Sequence, residues 1–137
     1  MPPLCLCVDD SIRILEHSFR DGDFADFLHR AEGDPSSLSP TELVRWNAYM
    51  TAVYRHFGTL VYQYRVGVLD EQMWQSYRET LKQHLRIRSW LAWFEQNKGS
   101  FSTSLVELVA EATRELKAAG LEADGEEAAG KLEAGRS

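Results

Sequence analysis

The chain has 137 residues, of which 44% are hydrophobic, with 15 lysines and arginines against 21 aspartates and glutamates. This length fits one domain and allows about two-thirds of the extended chain's surface to be buried, so that folding requires neither a metal nor a disulfide. The net charge of -6 argues against a general nucleic-acid-binding protein, because neutralising phosphates requires a basic face.

The two cysteines, Cys5 and Cys7, lie two residues apart, where a disulfide would be strained. This spacing indicates reduced thiols in a cytoplasmic compartment. The longest apolar run near the start covers residues 4 to 8, which is far too short to span a membrane, and no Lys or Arg precedes it as in a signal peptide. The sequence therefore predicts neither a transmembrane segment nor an export signal in the chain as given.

Two short helices are predicted ahead of residue 35. The first begins at Asp9 or Asp10 and ends at the run Asp21-Gly22-Asp23. Its inward residues are Ile12, Leu15 and Phe19. The second helix continues in a different phase before Gly33-Asp34-Pro35. Its apolar residues are Phe24, Phe27, Leu28 and Ala31.

The clearest helix start lies at residues 38 to 42. Ser39 is predicted to cap the Glu42 amide, while the Glu42 carboxylate reaches back to the Ser39 amide and Pro40 occupies the first helical position. An apolar seam follows at alternating spacings of three and four, formed by Leu43, Trp46, Met50, Val53, Phe57, Leu60 and Tyr64. Further apolar area lies off this seam, at Tyr49, Tyr54, Val61 and Tyr62. We therefore expect a long central helix, contacted from several sides, that ends near Gly67.

A second helix is predicted from Glu71 to about Arg86, with Asp70 as its N-cap. The loop before it has about three residues, which forces an antiparallel helical hairpin. The predicted buried positions of this helix are Trp74, Tyr77, Leu81 and Leu85, with Met73 beside them.

Two more helices complete the predicted bundle. The first is short and aromatic, and it contains Trp90, Leu91, Trp93 and Phe94. The second begins at the N-cap Ser102 and ends at Gly120, and its inward residues are Leu105, Leu108, Val109, Ala112 and Leu116.

The predicted fold class is all-α, since no segment has the pattern of a strand. We expect a small helical bundle built on the long central helix and the antiparallel hairpin, and we assign residues 1 to 119 to this single domain. Residues 120 to 137 carry a glycine at every fifth position among alanines and glutamates, which disfavours helix. We predict that this segment is a disordered acidic tail.

The sequence contains no pattern that is typical of a catalytic or metal-binding site. It has no glycine-rich phosphate loop, no H-E-x-x-H pair and no Glu-x-x-His pair. No nucleophile, base and orienting group can be assembled from the spacings. We therefore predict no catalytic residues, no metal and no cofactor.

Three basic residues recur every four positions on one face of the second hairpin helix: Arg78, Lys82 and Arg86. They lie in the mildly basic middle of the chain, between more acidic ends. Two interpretations remain open, a solvated helix face or a contact with an acidic partner or anionic lipid head groups. Nucleic acid is not expected here, because the acidic flanks repel phosphate.

All four tryptophans and all five tyrosines lie between residues 46 and 93. Such residues suit protein cores, but they also line ligand pockets and partner interfaces. Arg65 and Arg78 each follow a tyrosine and are the charges expected at the edge of a site. The candidate contact residues are Trp46, Tyr49, Tyr64, Arg65, Trp74, Tyr77, Arg78, Lys82 and Arg86.

The run from Val61 to Arg78, preceded by Leu38-Ser39-Pro40-Thr41-Glu42, resembles a group of uncharacterised bacterial helical proteins. Their motifs are an L-[ST]-P-E-E helix start and a Y-Q-Y-R-x-G-x-L-D-E-x-x-W-x-x-Y-R hairpin, and the resemblance covers residues 20 to 112. It implies no activity, cofactor or catalytic residue. Similar proteins often begin with a membrane helix, which implies a helical domain on the cytoplasmic side. Met1 of this chain comes after the position where such a membrane helix would lie. We expect either a version without the membrane anchor or a protein whose first residue has been assigned too late.

These observations favour a non-enzymatic helical module that binds a protein partner or associates with itself, with the cytoplasmic membrane surface as one place of action. The alternative is a bundle that binds a small molecule or a lipid through its aromatic hairpin. An enzyme with dispersed catalytic residues is the least favoured interpretation.

Overall fold

The computed structural model describes residues 22 to 121. Five α-helices form this part of the chain: α1 (Gly22–Gly33), α2 (Pro40–Arg65), α3 (Glu71–Leu85), α4 (Arg88–Asn97) and α5 (Thr103–Ala118). Short 3₁₀ turns precede α2 (Pro35–Ser37) and α5 (Lys98–Ser100), and the described residues contain no strand. The predicted all-α fold is confirmed. The helix predicted at residues 9 to 20 and the acidic tail beyond residue 121 lie outside the described residues.

Helix α2 is the long central helix that the sequence predicts. It has 26 residues and begins with a capping box, in which the Ser39 amide donates to Glu42 Oε1 at 3.1 Å and the Glu42 amide donates to Ser39 Oγ at 3.2 Å. At 1.5 Å per residue it is about 39 Å long. The helices α1, α3 and α5 all pack against it.

The turn between α2 and α3 is a Schellman motif. The Val68 amide donates to the Gln63 carbonyl at 2.9 Å, and Gly67 adopts a φ of 82°, which is a left-handed conformation that glycine adopts without strain. Asp70 then caps α3 by accepting a hydrogen bond from the Met73 amide at 2.9 Å. These contacts confirm the predicted end near Gly67 and the predicted hairpin.

Most of the predicted seam of α2 is buried, but its first residue is not. Leu43 is 43% exposed because it lies on the wall of an open groove that no other helix covers. Tyr62 is 64% exposed at the edge of a shallow depression between α2 and α5, so it adds nothing to the core. Met73 is exposed as well, although its neighbour Trp74 is buried. The predictions that Leu43, Tyr62 and Met73 contribute to the buried surface are therefore wrong.

An aromatic cluster holds α4 against α2. Its centre is Tyr54, which is fully buried and contacts the rings of Trp90, Trp93, Phe94 and Phe101. The Tyr54 hydroxyl donates a buried hydrogen bond to the Trp90 carbonyl oxygen at 2.8 Å, and burial raises the pKa of this phenol. The cluster fixes where α4 lies relative to the central helix.

Candidate functional site

An open groove of about 930 Å³ lies where α1, α2 and α4 meet, and we call it the α4 groove. Its apolar lining consists of Pro35, Leu43, Trp46, Ile87, Ala92 and Trp93. Its polar lining includes Glu32, Asn47, Arg88, Ser89, Gln96 and Asn97. A concave surface of this size that combines apolar side chains with a similar number of polar ones is suited to a small ligand or to peptide side chains.

Two tryptophans form the base of the α4 groove. Trp46 is 1% exposed and Trp93 is 7% exposed, so both are rigid parts of the core that present only an edge to the groove. Trp93 Nε1 donates to Asn47 Oδ1 at 2.9 Å, and Asn97 Nδ2 donates to the Trp93 carbonyl at 2.8 Å. Among residues 22 to 121, this leaves the Asn47 amide nitrogen and the Asn97 amide oxygen without a partner, ready to donate to and accept from a ligand.

The start of α4 lacks a capping side chain. Side chains of Ser39, Asp70 and Ser102 cap α2, α3 and α5, whereas Ile87 occupies the equivalent position before α4. The Trp90 amide, which a capping side chain would satisfy, donates instead to the Ile87 carbonyl at 3.0 Å. Within the described part of the chain, the amides of Arg88 and Ser89 have no acceptor, as is also true of the first two amides of α3 and α5. The first turn of α4 therefore lies on the groove with the two open amides that are usual at a helix start.

The Ser89 side chain is a buried polar group next to this turn. Its side chain is buried, with the residue 8% exposed, and its hydroxyl oxygen has no hydrogen-bond partner among the described residues. A buried polar group without a partner costs about 1 to 3 kcal/mol. The hydroxyl oxygen is enclosed behind the groove wall, so it adds a local cost to the fold and no open contact for a ligand.

Four of the predicted contact residues meet elsewhere, around a smaller cavity of about 420 Å³ between α2, α3 and α5. They are Tyr64, Arg65, Trp74 and Arg78. The rings of Tyr64 and Trp74 stack with their centroids 4.8 Å apart, and Trp74 is 5% exposed. The Tyr64 hydroxyl donates to the Glu71 carboxylate, which raises the pKa of Tyr64 and lowers that of Glu71.

The cations at this smaller cavity are paired within the bundle. Arg78 donates to both carboxylate oxygens of Glu115 at 2.8 Å, and Lys82 Nζ lies 3.4 Å from Glu115 Oε2. Arg65 donates to Ser104 Oγ at 2.7 Å and lies 3.3 Å from a Glu107 oxygen. The basic face of α3 therefore lies against the acidic face of α5.

The remaining predicted contact residues are scattered. Trp46 lines the α4 groove, and Tyr49 lies half-buried with its ring at 5.6 Å from that of Phe24, where burial and then the charge of Glu32 raise its pKa to about 12. Tyr77 is half-buried and meets His56 edge-on at 6.2 Å. Arg86 donates to the neutral side chain of Gln83 at 3.4 Å. The nine residues therefore do not form one site.

The structure places at the α4 groove several residues that are absent from the predicted contact set: Asn47, Arg88, Ser89, Ala92 and Trp93. The sequence contains one indication of this part of the groove. Ile87 precedes α4, whereas Ser or Asp precedes α2, α3 and α5. Nothing in the spacing of Asn47 indicates that it faces Trp93.

The ion pair between Arg78 and Glu115 predicts that the free energy of unfolding falls in acid. Hydrogen bonds from Arg78 hold the pKa of the Glu115 carboxyl below its ordinary value of 4.5. A lowered pKa means that the pair stabilises the fold fully above pH 4.5 and that this contribution is lost as the pH falls through the lowered pKa. Because Glu115 is 41% exposed and its charge is screened by solvent, the contribution is about 0.5 to 1 kcal/mol.

The measurement is urea denaturation from neutral to acid pH. Glu115→Gln is expected to lower the free energy of unfolding at neutral pH and to make its decline in acid shallower. Asp26→Asn is the matched control, because Asp26 is exposed and has no ion pair among the described residues. Identical acid profiles for the wild type and Glu115→Gln would contradict the assignment.

In comparisons with known proteins, no family model, no curated protein and no solved structure matches this chain. Among residues 22 to 121, no group of three or more His, Cys, Asp or Glu side chains is arranged to hold a metal ion. No helix in the same range is long and apolar enough to cross a membrane.

Proposed function

We propose that this chain is a non-enzymatic interaction module that binds a short segment of a partner protein in the α4 groove. One observation carries the proposal: the groove combines a tryptophan base with amide groups that have no partner among the described residues. The nearly buried tryptophans fix the shape of the groove, while the exposed apolar side chains of Leu43 and Ala92 supply contact area for a partner. The amides of Asn47 and Asn97 suit the alternating donors and acceptors of a peptide backbone.

The aromatic hairpin supports the alternative function less well. A lipid or another small apolar molecule would need open apolar space beside the hairpin tryptophan, but Trp74 stacks on Tyr64 and is buried. The cavity at these rings has Arg78, Glu111 and Glu115 on its walls, which suits neither a fatty chain nor an aromatic ligand.

The proposed place of action is the cytoplasm of a bacterium. The close spacing of Cys5 and Cys7 and the resemblance of residues 61 to 78 to bacterial helical proteins support this location. A lipid surface is a weaker candidate partner than a protein, because the cations of Arg78 and Lys82 are already paired with Glu115. Binding to an anionic lipid surface requires cations that are free to contact the head groups, and these two are not.

A library of random short peptides displayed on phage tests the proposal. The full chain is immobilised, and selection is repeated with Ala92→Arg, which places a long side chain in the α4 groove from an exposed position. Ala110→Arg is the matched control, since Ala110 is also exposed in the middle of a helix and lies outside the groove. We expect enriched peptides to bind the wild type and Ala110→Arg with equal affinity and to lose at least about tenfold on Ala92→Arg.

Two results would overturn the proposal. The first is that no peptide is enriched on the folded wild-type chain. The second is that the enriched peptides bind Ala92→Arg as tightly as Ala110→Arg, which would place their site outside the α4 groove.

A further inference from the structure

We propose that this chain forms a two-fold symmetric dimer through the exposed face of α2, in which Val44 of each copy enters a depression on its partner. The depression has a volume of about 490 Å³ and lies between α2 and the start of α5, and we call it the Gly58 depression. This surface is separate from the α4 groove, so the proposal adds a second copy of the chain as a partner and does not rest on the proposed function.

A second seam runs along the side of α2 that the other described helices leave open. Its residues are spaced alternately four and three apart, as the a and d positions of a coiled coil are. They are Val44, Ala48, Thr51, Arg55, Gly58 and Tyr62. Four of the six are exposed and none is buried, although such a pattern predicts contact with another helix. Within the described part of the chain, no helix supplies that contact.

Val44 is the side chain that projects furthest from this seam. It is 70% exposed, which is the highest value among the large apolar side chains of residues 22 to 121. The residues that follow it on the seam, Ala48 and Thr51, are small and let a second helix approach closely. The seam therefore combines one projecting apolar side chain with a low central stretch.

The Gly58 depression has the form of a hole that receives a side chain in helix packing. Its α2 wall is made by residues at spacings i, i+3, i+4 and i+7, which are Arg55, Gly58, Thr59 and Tyr62. Four residues at these spacings surround the inserted side chain in a coiled coil. Gly58 keeps the hole open, because a Cβ at this position would take up space within 3.7 Å of Leu105 Cδ2. Phe101 and Leu105 add apolar lining from the other side.

The arrangement of Val44 and the depression on one helix identifies the occupant as a second copy. Val44 and Gly58 are 14 positions apart, or about 21 Å along α2, so Val44 cannot fill the depression of its own chain. In an antiparallel pair with the two-fold axis near Thr51, each Val44 enters the depression of the other copy at the same time. The same register places the two Arg55 side chains about 11 Å apart along the pair, where salt largely screens their repulsion.

The extent of the seam predicts a weak dimer. In this register the two helices overlap over about 34 Å, and together with the rims of both depressions they cover about 1,000 Å². This area is just below the range of about 1,200 to 2,000 Å² that stable interfaces bury. We therefore expect a dissociation constant of about 10 to 100 µM.

Sedimentation equilibrium of the full chain, from about 5 µM to about 500 µM, measures this constant. Val44→Lys is expected to weaken the dimer at least about tenfold, because it places an ammonium group in an apolar depression beside the partner's Arg55. Val68→Lys is the matched control and is expected to leave the constant unchanged. Val68 is also an exposed valine, but it lies between α2 and α3 and off the seam.

Gly58→Ala separates an interface role from a structural one. The added methyl group makes an ordinary contact with Leu105 and replaces a glycine inside a helix, so the dilute chain is expected to melt at a higher temperature. The same methyl group narrows the depression, and we expect the dimer to be about threefold weaker or more. A higher melting temperature with an unchanged dissociation constant would overturn the role of the depression.

Disulfide trapping tests the register, in a chain that carries Cys5→Ser and Cys7→Ser. Thr51→Cys lies near the two-fold axis and is expected to give a linked dimer on oxidation. Val44→Cys is expected to give none, because the antiparallel pair holds its two copies about 20 Å apart. Equal linking at both positions would indicate a parallel pair and overturn the proposal. A chain that stays monomeric at about 500 µM, or a dimer that tolerates Val44→Lys, would overturn it as well.

Discussion

Replacing Trp74 by alanine is expected to lower the free energy of unfolding by about 3 to 5 kcal/mol. Trp74 is 5% exposed, stacks on Tyr64 and lies in the interface between α2 and α3, so its removal leaves a cavity that neighbouring side chains cannot fill. A loss of this size exceeds a third of the stability of many domains.

Urea denaturation followed by circular dichroism measures this loss. Met73→Ala is a suitable control, because Met73 is the adjacent residue on α3 and is 43% exposed. We expect Met73→Ala to cost less than about 1 kcal/mol. A similarly small cost for Trp74→Ala would mean that Trp74 lies on a binding surface, and the assignment of the hairpin aromatics to the core would be wrong.

Replacing Tyr54 by alanine is the second substitution with a large expected effect, again about 3 to 5 kcal/mol. Tyr54 is fully buried, its ring lies parallel to that of Trp93 at a centroid distance of 5.7 Å, and its hydroxyl donates to the Trp90 carbonyl. Tyr54→Phe keeps the ring and removes only the hydrogen bond, so we expect a loss of about 0.5 to 1.5 kcal/mol.

The same two variants report on the α4 groove. Because Tyr54 packs against Trp93, Tyr54→Ala is expected to shift the tryptophan emission of the folded chain to longer wavelength, while Tyr54→Phe leaves it unchanged. Equal stability losses for the two variants would contradict this view, since they would assign the whole effect to the hydroxyl and none to the packing of the ring.

The sequence predicts the helices of this bundle well because its signals are local. Ser39, Asp70 and Ser102 cap helices at the predicted positions, and Gly67 ends α2 in the predicted conformation. Each of these features depends on residues within one or two turns of helix. Local chemistry therefore defines where α2 begins and ends and where α3 and α5 begin.

The α4 groove is less predictable, because it depends on which helices become neighbours. Helical spacing places Leu43 on the seam of α2, but only the packed structure reveals that no helix covers its first turn. The same holds for Arg78 and Lys82, whose common face is evident from spacing while their pairing with Glu115 is not. Periodicity identifies a face of a helix, but it does not identify what lies opposite that face.

Helix α4 illustrates how stability is shared in this molecule. It has ten residues and no capping side chain, and isolated helices of fewer than about 12 residues are marginal in water. Its helical state therefore depends on packing against the central helix. Tyr54 of α2 contacts the rings of Trp90 and Phe94, and its hydroxyl donates a hydrogen bond to the Trp90 carbonyl. We therefore expect the wall of the groove that α4 forms to unfold together with the central helix and not as a separate unit.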